Sequence, residues 1–206
     1  LFAAPPEKDL EWSERGVEGA SRFLNRVWGL VFRMKPELQK FAGTGRKGAP
    51  ELKGLSTHAM ALLRKTHQTI KRVTHDIERE YHFNTAIASL MELVNELSGF
   101  TAETAADWMV VKHSIENVLL LLSPFSPHIA EELWEAMGNG PSISLQQWPQ
   151  WDDEVAQEEE RELVIQVNGK VRAKVMVPQG LHDEAVKERT LNEPKIKELL
   201  NGKTIK

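Results

Sequence analysis

The stretch Ser13 to Met34, SERGVEGASRFLNRVWGLVFRM, limits the possible folds more than any other part of the chain. At about 100° per residue, Val17, Ala20, Phe23, Leu24, Val27, Trp28, Leu30, Val31 and Met34 fall on one broad side that must be buried. Arg15, Arg22, Arg26 and Arg33, spaced by seven, four and seven residues, form a strip along one edge of that side. The strip has two readings. Long guanidinium side chains can border a core and pair with acids on neighbouring helices, or they can act as forks that bind phosphate bidentately.

Further along, Pro36 is expected to stop this helix, and residues 41–54 read as a connection rich in Gly and Lys. Gly43, Gly45 and Gly48 match the dinucleotide pattern G-x-G-x-x-G in form, but they join two helices rather than a strand and a helix, so the pattern is rejected. Leu55 to Arg79 is a second helix, with Leu63, Thr66, Ile70, Val73 and Ile77 at alternating steps of three and four. From Leu52 to His75 there is no acidic residue, while Lys53, Arg64, Lys65, Lys71 and Arg72 are cationic and His58, His67 and His75 can become so. A solvated helix normally mixes signs, so this imbalance implies a local positive surface on a chain of net charge −4.

A third helix, Phe83 to Gly99, is expected with Asn84 or Thr85 as its cap, Ile87, Leu90, Met91, Val94 and Leu97 buried, and Gly99 as its end. Thr104 and Asp107 resemble a capping box for a fourth, whose inner stripe is Trp108, Val111, Ile115, Val118 and Leu122. Ser126 and Pro127 supply an N-cap and a first-turn proline for a fifth, which stops at Gly138. This is the pattern of an antiparallel helical bundle. Residues 139–160 lose the helical period and carry Trp148, Trp151 and two acidic runs, which reads as a linker pinned by its tryptophans.

Leu163 to Pro178 alternates about Asn168 and Gly169, a strong two-residue hairpin signal. Strict alternation puts Leu163, Ile165, Val167, Val171, Ala173, Val175 and Val177 on apolar faces and turns Lys170, Arg172 and Lys174 the other way. Short helices are expected at 183–189 and 194–200, and 203–206 looks like the approach to a third strand, without which a hairpin is marginal. The expected class is mainly α, with a bundle over 1–138, the linker over 139–160, and a truncated α+β domain over 161–206.

Several chemistries are excluded. With no cysteine, the chain cannot form disulfides, thiolate zinc sites, iron–sulfur clusters or a cysteine nucleophile, which is compatible with the cytoplasm. The longest apolar run, Val118 to Leu122, is too short for a bilayer, and the start, Leu1 to Pro6, has no basic region followed by an apolar one. The initial Leu suggests a fragment. His58, His67, His75 and His82 include no pair four apart and no Glu-x-x-His, so no metal site is written here. Ser126 and His128 are explained by capping and by the start of a helix rather than by nucleophilic catalysis.

Two segments resemble a known family: Leu122 to Trp134, LSPFSPHIAEELW, and Gln166 to Lys174, QVNGKVRAK. With Phe2 to Pro6 and Ser21 to Trp28, they are similar in order to the C-terminal part of bacterial leucyl-tRNA synthetases, class I aminoacyl-tRNA synthetases. Valyl and isoleucyl enzymes carry similar bundles, and the hairpin segment is what points to the leucyl type. The resemblance implies an anticodon-binding-type bundle and a small C-terminal domain that touches the tRNA elbow. It implies leucine tRNA and the upstream catalytic and editing domains as partners, and a monomer with no membrane association. It places ATP and magnesium in the intact enzyme and no cofactor in this chain, where the family's HIGH and KMSKS motifs are absent. The residues proposed to meet tRNA are Arg15, Arg22, Arg26, Arg33, Arg64, Lys71, Arg72, Asn168, Lys170, Arg172 and Lys174. The rival reading is a helical adaptor that binds a protein through Trp12, Trp148 and Trp151, with its basic strips simply solvated.

Overall fold

Each periodic apolar segment becomes a helix in the computed structural model, which describes residues 14–40, 50–78, 81–157, 160–167, 170–178 and 182–200. The first compact unit, ending at Ala156, contains α1 (Glu14–Lys40), α2 (Thr57–Glu78), α3 (Phe83–Gly99), α4 (Ala105–Leu122), α5 (Pro127–Ala136), a 3-10 turn at Ile143–Leu145 and the short α6 (Asp153–Ala156). The second unit holds β1 (Glu160–Val167), β2 (Lys170–Pro178), α7 (Asp183–Asn192) and α8 (Pro194–Leu200).

The bundle core is built from the expected stripes. Leu63, Ile70 and Val73 of α2, Leu90, Val94 and Leu97 of α3, and Val111, Ile115, Val118 and Leu122 of α4 are all buried, with Leu133 and Trp134 of α5 beside them. Helix α1 packs on α3, α4 and α5. Its buried face is narrower than expected: Phe23, Val27, Leu30, Val31, Met34 and Leu38 are covered, while Val17 and Trp28 are 48% and 38% exposed. Three neighbouring helices cover the middle of the stripe and leave one flank bare.

Pro36 does not end α1, which runs on to Lys40. Proline costs the helix the hydrogen bond to Phe32, but Phe32 faces solvent and buried Leu38 anchors the turn beyond. At the start of α3 the cap position is His82, not Asn84 or Thr85, and its side chain makes no capping bond. The Thr104–Asp107 capping box is present in full: Thr104 Oγ1 accepts from the Asp107 amide at 3.1 Å, and Asp107 Oδ2 accepts from the Thr104 amide at 3.0 Å. Ser126 occupies the cap of α5 without a side-chain bond, and Gly138, at φ +81°, follows that helix in the left-handed conformation glycine permits.

Residues 139–156 lie within the first unit. Trp148 donates its indole N–H to Thr74 Oγ1 at 2.8 Å, and Gln68 donates to the Ala156 carbonyl at 2.9 Å, so the stretch runs as a strap along α2.

In the second unit β1 and β2 pair antiparallel, and the strict alternation read from the sequence breaks. Ile165 pairs with Ala173 but Gln166 pairs with Val171, leaving Arg172 as the extra residue of a β-bulge. Cross-strand partners share a face, so Lys170, opposite Val167, lies on the side of Leu163 and Ile165, and Val171 joins Lys174 on the other. Burial agrees: Ala173, Val175 and Val177 are covered whereas Val171 is 56% exposed. A single extra residue reverses the parity of everything before it, which alternation alone cannot reveal. Helices α7 and α8 pack on β2, and Ile196 is buried with its valines, which gives the hairpin the cover an isolated one lacks. The expected turn at Asn168 and Gly169 and the segment 203–206 fall outside the described residues.

The bulge gives a direct test. Replacing Val171 with Lys should change stability by less than about 0.5 kcal/mol, as at ordinary surface sites. Val175→Lys puts an unpaired ammonium into a covered position and should unfold the second unit. Equal tolerance of both in urea unfolding would contradict the register.

Candidate nucleic-acid interface

The arginine strip divides into residues open to solvent and one that is a strut. Arg33 donates to the Ser98 carbonyl at 3.1 Å, tying α1 to the end of α3. Arg22 lies 3.6 Å from Glu18, but both side chains are about two-thirds exposed or more, so water screens the pair and leaves the guanidinium available. Arg26 sits over its own helix neighbour Phe23, 5.9 Å from the ring centroid, a contact that orients the side chain without neutralising it. Arg15 is exposed one turn before Glu18.

Arg22 and Arg26 line one open groove of about 550 Å³ together with Gly19, Asn25 and Met91. Helix α1 supplies four of these residues because 19, 22, 25 and 26 recur on one flank. Met91 of α3 supplies an apolar wall. The groove thus offers two planar cations, a carboxamide and a patch of apolar surface, which is the chemistry that holds a phosphate with its attached sugar or base. Asn25 was not among the sequence candidates although it lies between the two arginines. Periodicity places Met91 on the inner face of its helix, and only the packing of α3 on α1 brings it to the groove.

The acid-free helix is less open than its composition suggests. Carboxylates from other elements come to it: Lys65 bonds Glu92 of α3 at 2.7 Å and Lys71 bonds Asp153 of the strap at 2.7 Å. The Lys65 hydrogen bond and charge, with a contribution from Arg72, hold the Glu92 carboxyl below its usual range. The Lys71 and Trp151 hydrogen bonds do the same for Asp153. Arg64 is half-buried, while Arg72 is exposed.

His67 does not add to the positive surface. It is buried, burial pushes its pKa down against the pull of Asp152, and its Nδ1 accepts the Asp152 amide at 2.9 Å. His58 and His75 are exposed.

In the second unit Lys170, Arg172 and Lys174 are all exposed, on a strand whose bulge splits them between faces. Asn168 lies outside the described residues. Among the described residues no group of three or more His, Asp or Glu is placed to hold a metal ion, and no helix is long and apolar enough to cross a membrane.

Comparison with known proteins gives these surfaces a context. The family model described as the anticodon-binding domain of tRNA ligase matches residues 60–187. The whole chain aligns at 46% identity with a leucine–tRNA ligase of Geobacter sp. (strain M21), and at 44% with one of Syntrophobacter fumaroxidans, covering 24% and 25% of those proteins. It also superposes, with a TM-score of 0.83 and 26% identity, on a quarter of a chain in the crystal structure of the LeuRS–tRNA–LeuAMS ternary complex of Agrobacterium radiobacter K84. The chain therefore spans about a quarter of the length of the curated relatives it matches.

Proposed function

The chain belongs to the family of anticodon-binding domains of tRNA ligases, and on that premise we propose that it is the noncatalytic, tRNA-binding C-terminal part of a leucyl-tRNA synthetase. Its work is placement. Cations on the bundle neutralise phosphates along the body of leucine tRNA and the hairpin meets the outer corner, so that the acceptor end reaches a distant active site. The observation that carries this reading is the groove in which Arg22, in a solvent-screened pair with Glu18, and Arg26, over the Phe23 ring, stand beside Asn25 and Met91.

The intact enzyme, in this reading, is a cytoplasmic monomer that uses ATP and magnesium to activate leucine, and this chain holds neither. Its other partners are the catalytic and editing domains of the same polypeptide. The flank of α1 left bare by the bundle, where Trp28 and Phe32 stack with ring centroids 4.8 Å apart, is the apolar surface on which those domains would rest. That the relatives are leucine ligases supports the leucyl type over the valyl and isoleucyl ones. The adaptor reading loses Trp148 and Trp151, which are partly buried against the bundle core, the Trp148 indole N–H being bonded to Thr74.

The test is a filter-binding assay of the chain with leucine tRNA between about 50 and 200 mM salt. Affinity should fall steeply over that range, because each phosphate contact releases counterions. Binding that is independent of salt, or absent at the lower concentration, would overturn the assignment. The same preparation, free of host synthetase, should give no leucine-dependent ATP–pyrophosphate exchange, and measurable exchange would refute the noncatalytic reading.

A further inference from the structure

A stacked pair of histidines, one buried and one half-buried, lies where the strap crosses the bundle. His67 of α2 and His113 of α4 stack with ring centroids 5.7 Å apart and 23° between planes. His67 Nδ1 accepts the Asp152 amide, which fixes its proton on Nε2, and Nε2 is buried without a hydrogen-bond partner. His113 Nε2 lies 3.2 Å from the Asn117 amide nitrogen. Both rings are therefore suited to the neutral form. A proton added to His67 Nδ1 would point at another donor, the Asp152 N–H, and would place a cation against the second ring.

We propose that His67, stacked on His113, is a proton-operated latch that holds residues 148–156 on α2 when neutral and releases them when protonated. The charged groups around the pair have been set by the fold. The strap brings Asp152, which favours the protonated ring, and Asp153, already held by Lys71. Helix α4 brings Lys112, bonded to Glu116 at 2.6 Å, and α3 brings Glu92, held by Lys65. Arg64 and Lys71 flank His67 on its own helix. Burial outweighs the one carboxylate: it pushes His67 down, and burial with the charges of His67 and Lys112 pushes His113 down to about 4.

The sign follows from linkage. With the strap lifted, His67 returns toward the ordinary value of 6.5, so opening is insensitive to pH above that value. Below it, opening grows by about tenfold per pH unit for each ring that charges only when open. Down to about pH 5 ordinary carboxylates stay ionised, so the Lys71–Asp153 bond is not what changes.

Hydrogen exchange of the whole chain, followed by NMR at pH 7, 6 and 5 and corrected for intrinsic rates, reads the latch directly. Protection of the Asp152 amide and of the Trp148 indole N–H should fall as the pH drops below 6.5, by up to about tenfold per unit. Core amides of α4 such as Val118 and Leu119 should keep theirs. His67→Asn retains a side-chain acceptor that does not titrate and should make strap protection independent of pH. Flat protection in the natural protein, loss only in step with the α4 core, or the same decline in His67→Asn would each overturn the latch. The comparison of strap with core in the natural protein decides the matter even if the variant does not fold.

Discussion

Asp107→Ala is expected to lower the stability of the helical unit by about 3 kcal/mol, because it removes a charged acceptor shared by three donors. Asp107 Oδ2 accepts the amides of Glu103 and Thr104 at 3.1 and 3.0 Å, and Oδ1 accepts the Ser56 hydroxyl at 2.9 Å. Ser56 in turn accepts the Ala59 amide at 3.1 Å and so caps α2. One carboxylate therefore serves the starts of two helices, where backbone N–H groups lack partners and the helix dipole favours negative charge.

Burial alone would raise the Asp107 carboxyl, but the bonds from Glu103, Ser56 and Thr104 together hold it below its ordinary value of 3.8. Its folded pKa is thus depressed, so its contribution is whole above pH 3.8 and is lost as the pH falls through the folded value. The natural protein and Asp107→Ala should therefore differ most near neutrality and converge in strong acid. Urea unfolding followed by circular dichroism measures the difference, and a loss below about 0.5 kcal/mol at pH 7, the range of an ordinary surface change, would show that the shared carboxylate is not a joint.

Reversing both groove arginines, Arg22→Glu with Arg26→Glu, should weaken tRNA binding by the full-length synthetase by more than about tenfold and reduce its salt slope by roughly two units. Among the described residues each guanidinium is held by a screened pair or a ring contact, so the folded state loses little when they change. Arg33→Ala is the contrasting variant: it removes a bond from α1 to Ser98 and should lower melting temperature while leaving the salt slope unchanged. Leucine activation without tRNA should be unaffected by the reversal, because in the proposed function those side chains act on RNA placement alone. If the double reversal leaves tRNA affinity intact in a folded enzyme, the groove is solvated surface.

Local chemistry in the chain determined what depends on neighbours in sequence. The helices at 57–78, 83–99, 105–122 and 127–136 follow from apolar periodicity, with Gly99 and Gly138 marking two of their ends. The Thr104–Asp107 box is complete within four residues, so its two backbone bonds could be read directly. The hairpin segment was equally legible as a pair of strands, because its apolar residues alternate about a turn dipeptide.

Tertiary structure decided every question whose answer lies on another element. Composition shows that α2 lacks acids, but only packing brings Glu92 and Asp153 to Lys65 and Lys71, leaving less free positive charge than a helix in isolation would carry. Four arginines look equivalent along α1 until Ser98 takes one and a groove with Met91 gathers two. Pro36 stays helical because a buried Leu38 lies beyond it, and Arg172 bulges where alternation is otherwise unbroken. Periodicity is a property of a segment, whereas ion pairing, burial and register are properties of two segments at once. A strand's faces, a lysine's charge and a histidine's proton therefore depend on partners that the segment does not contain.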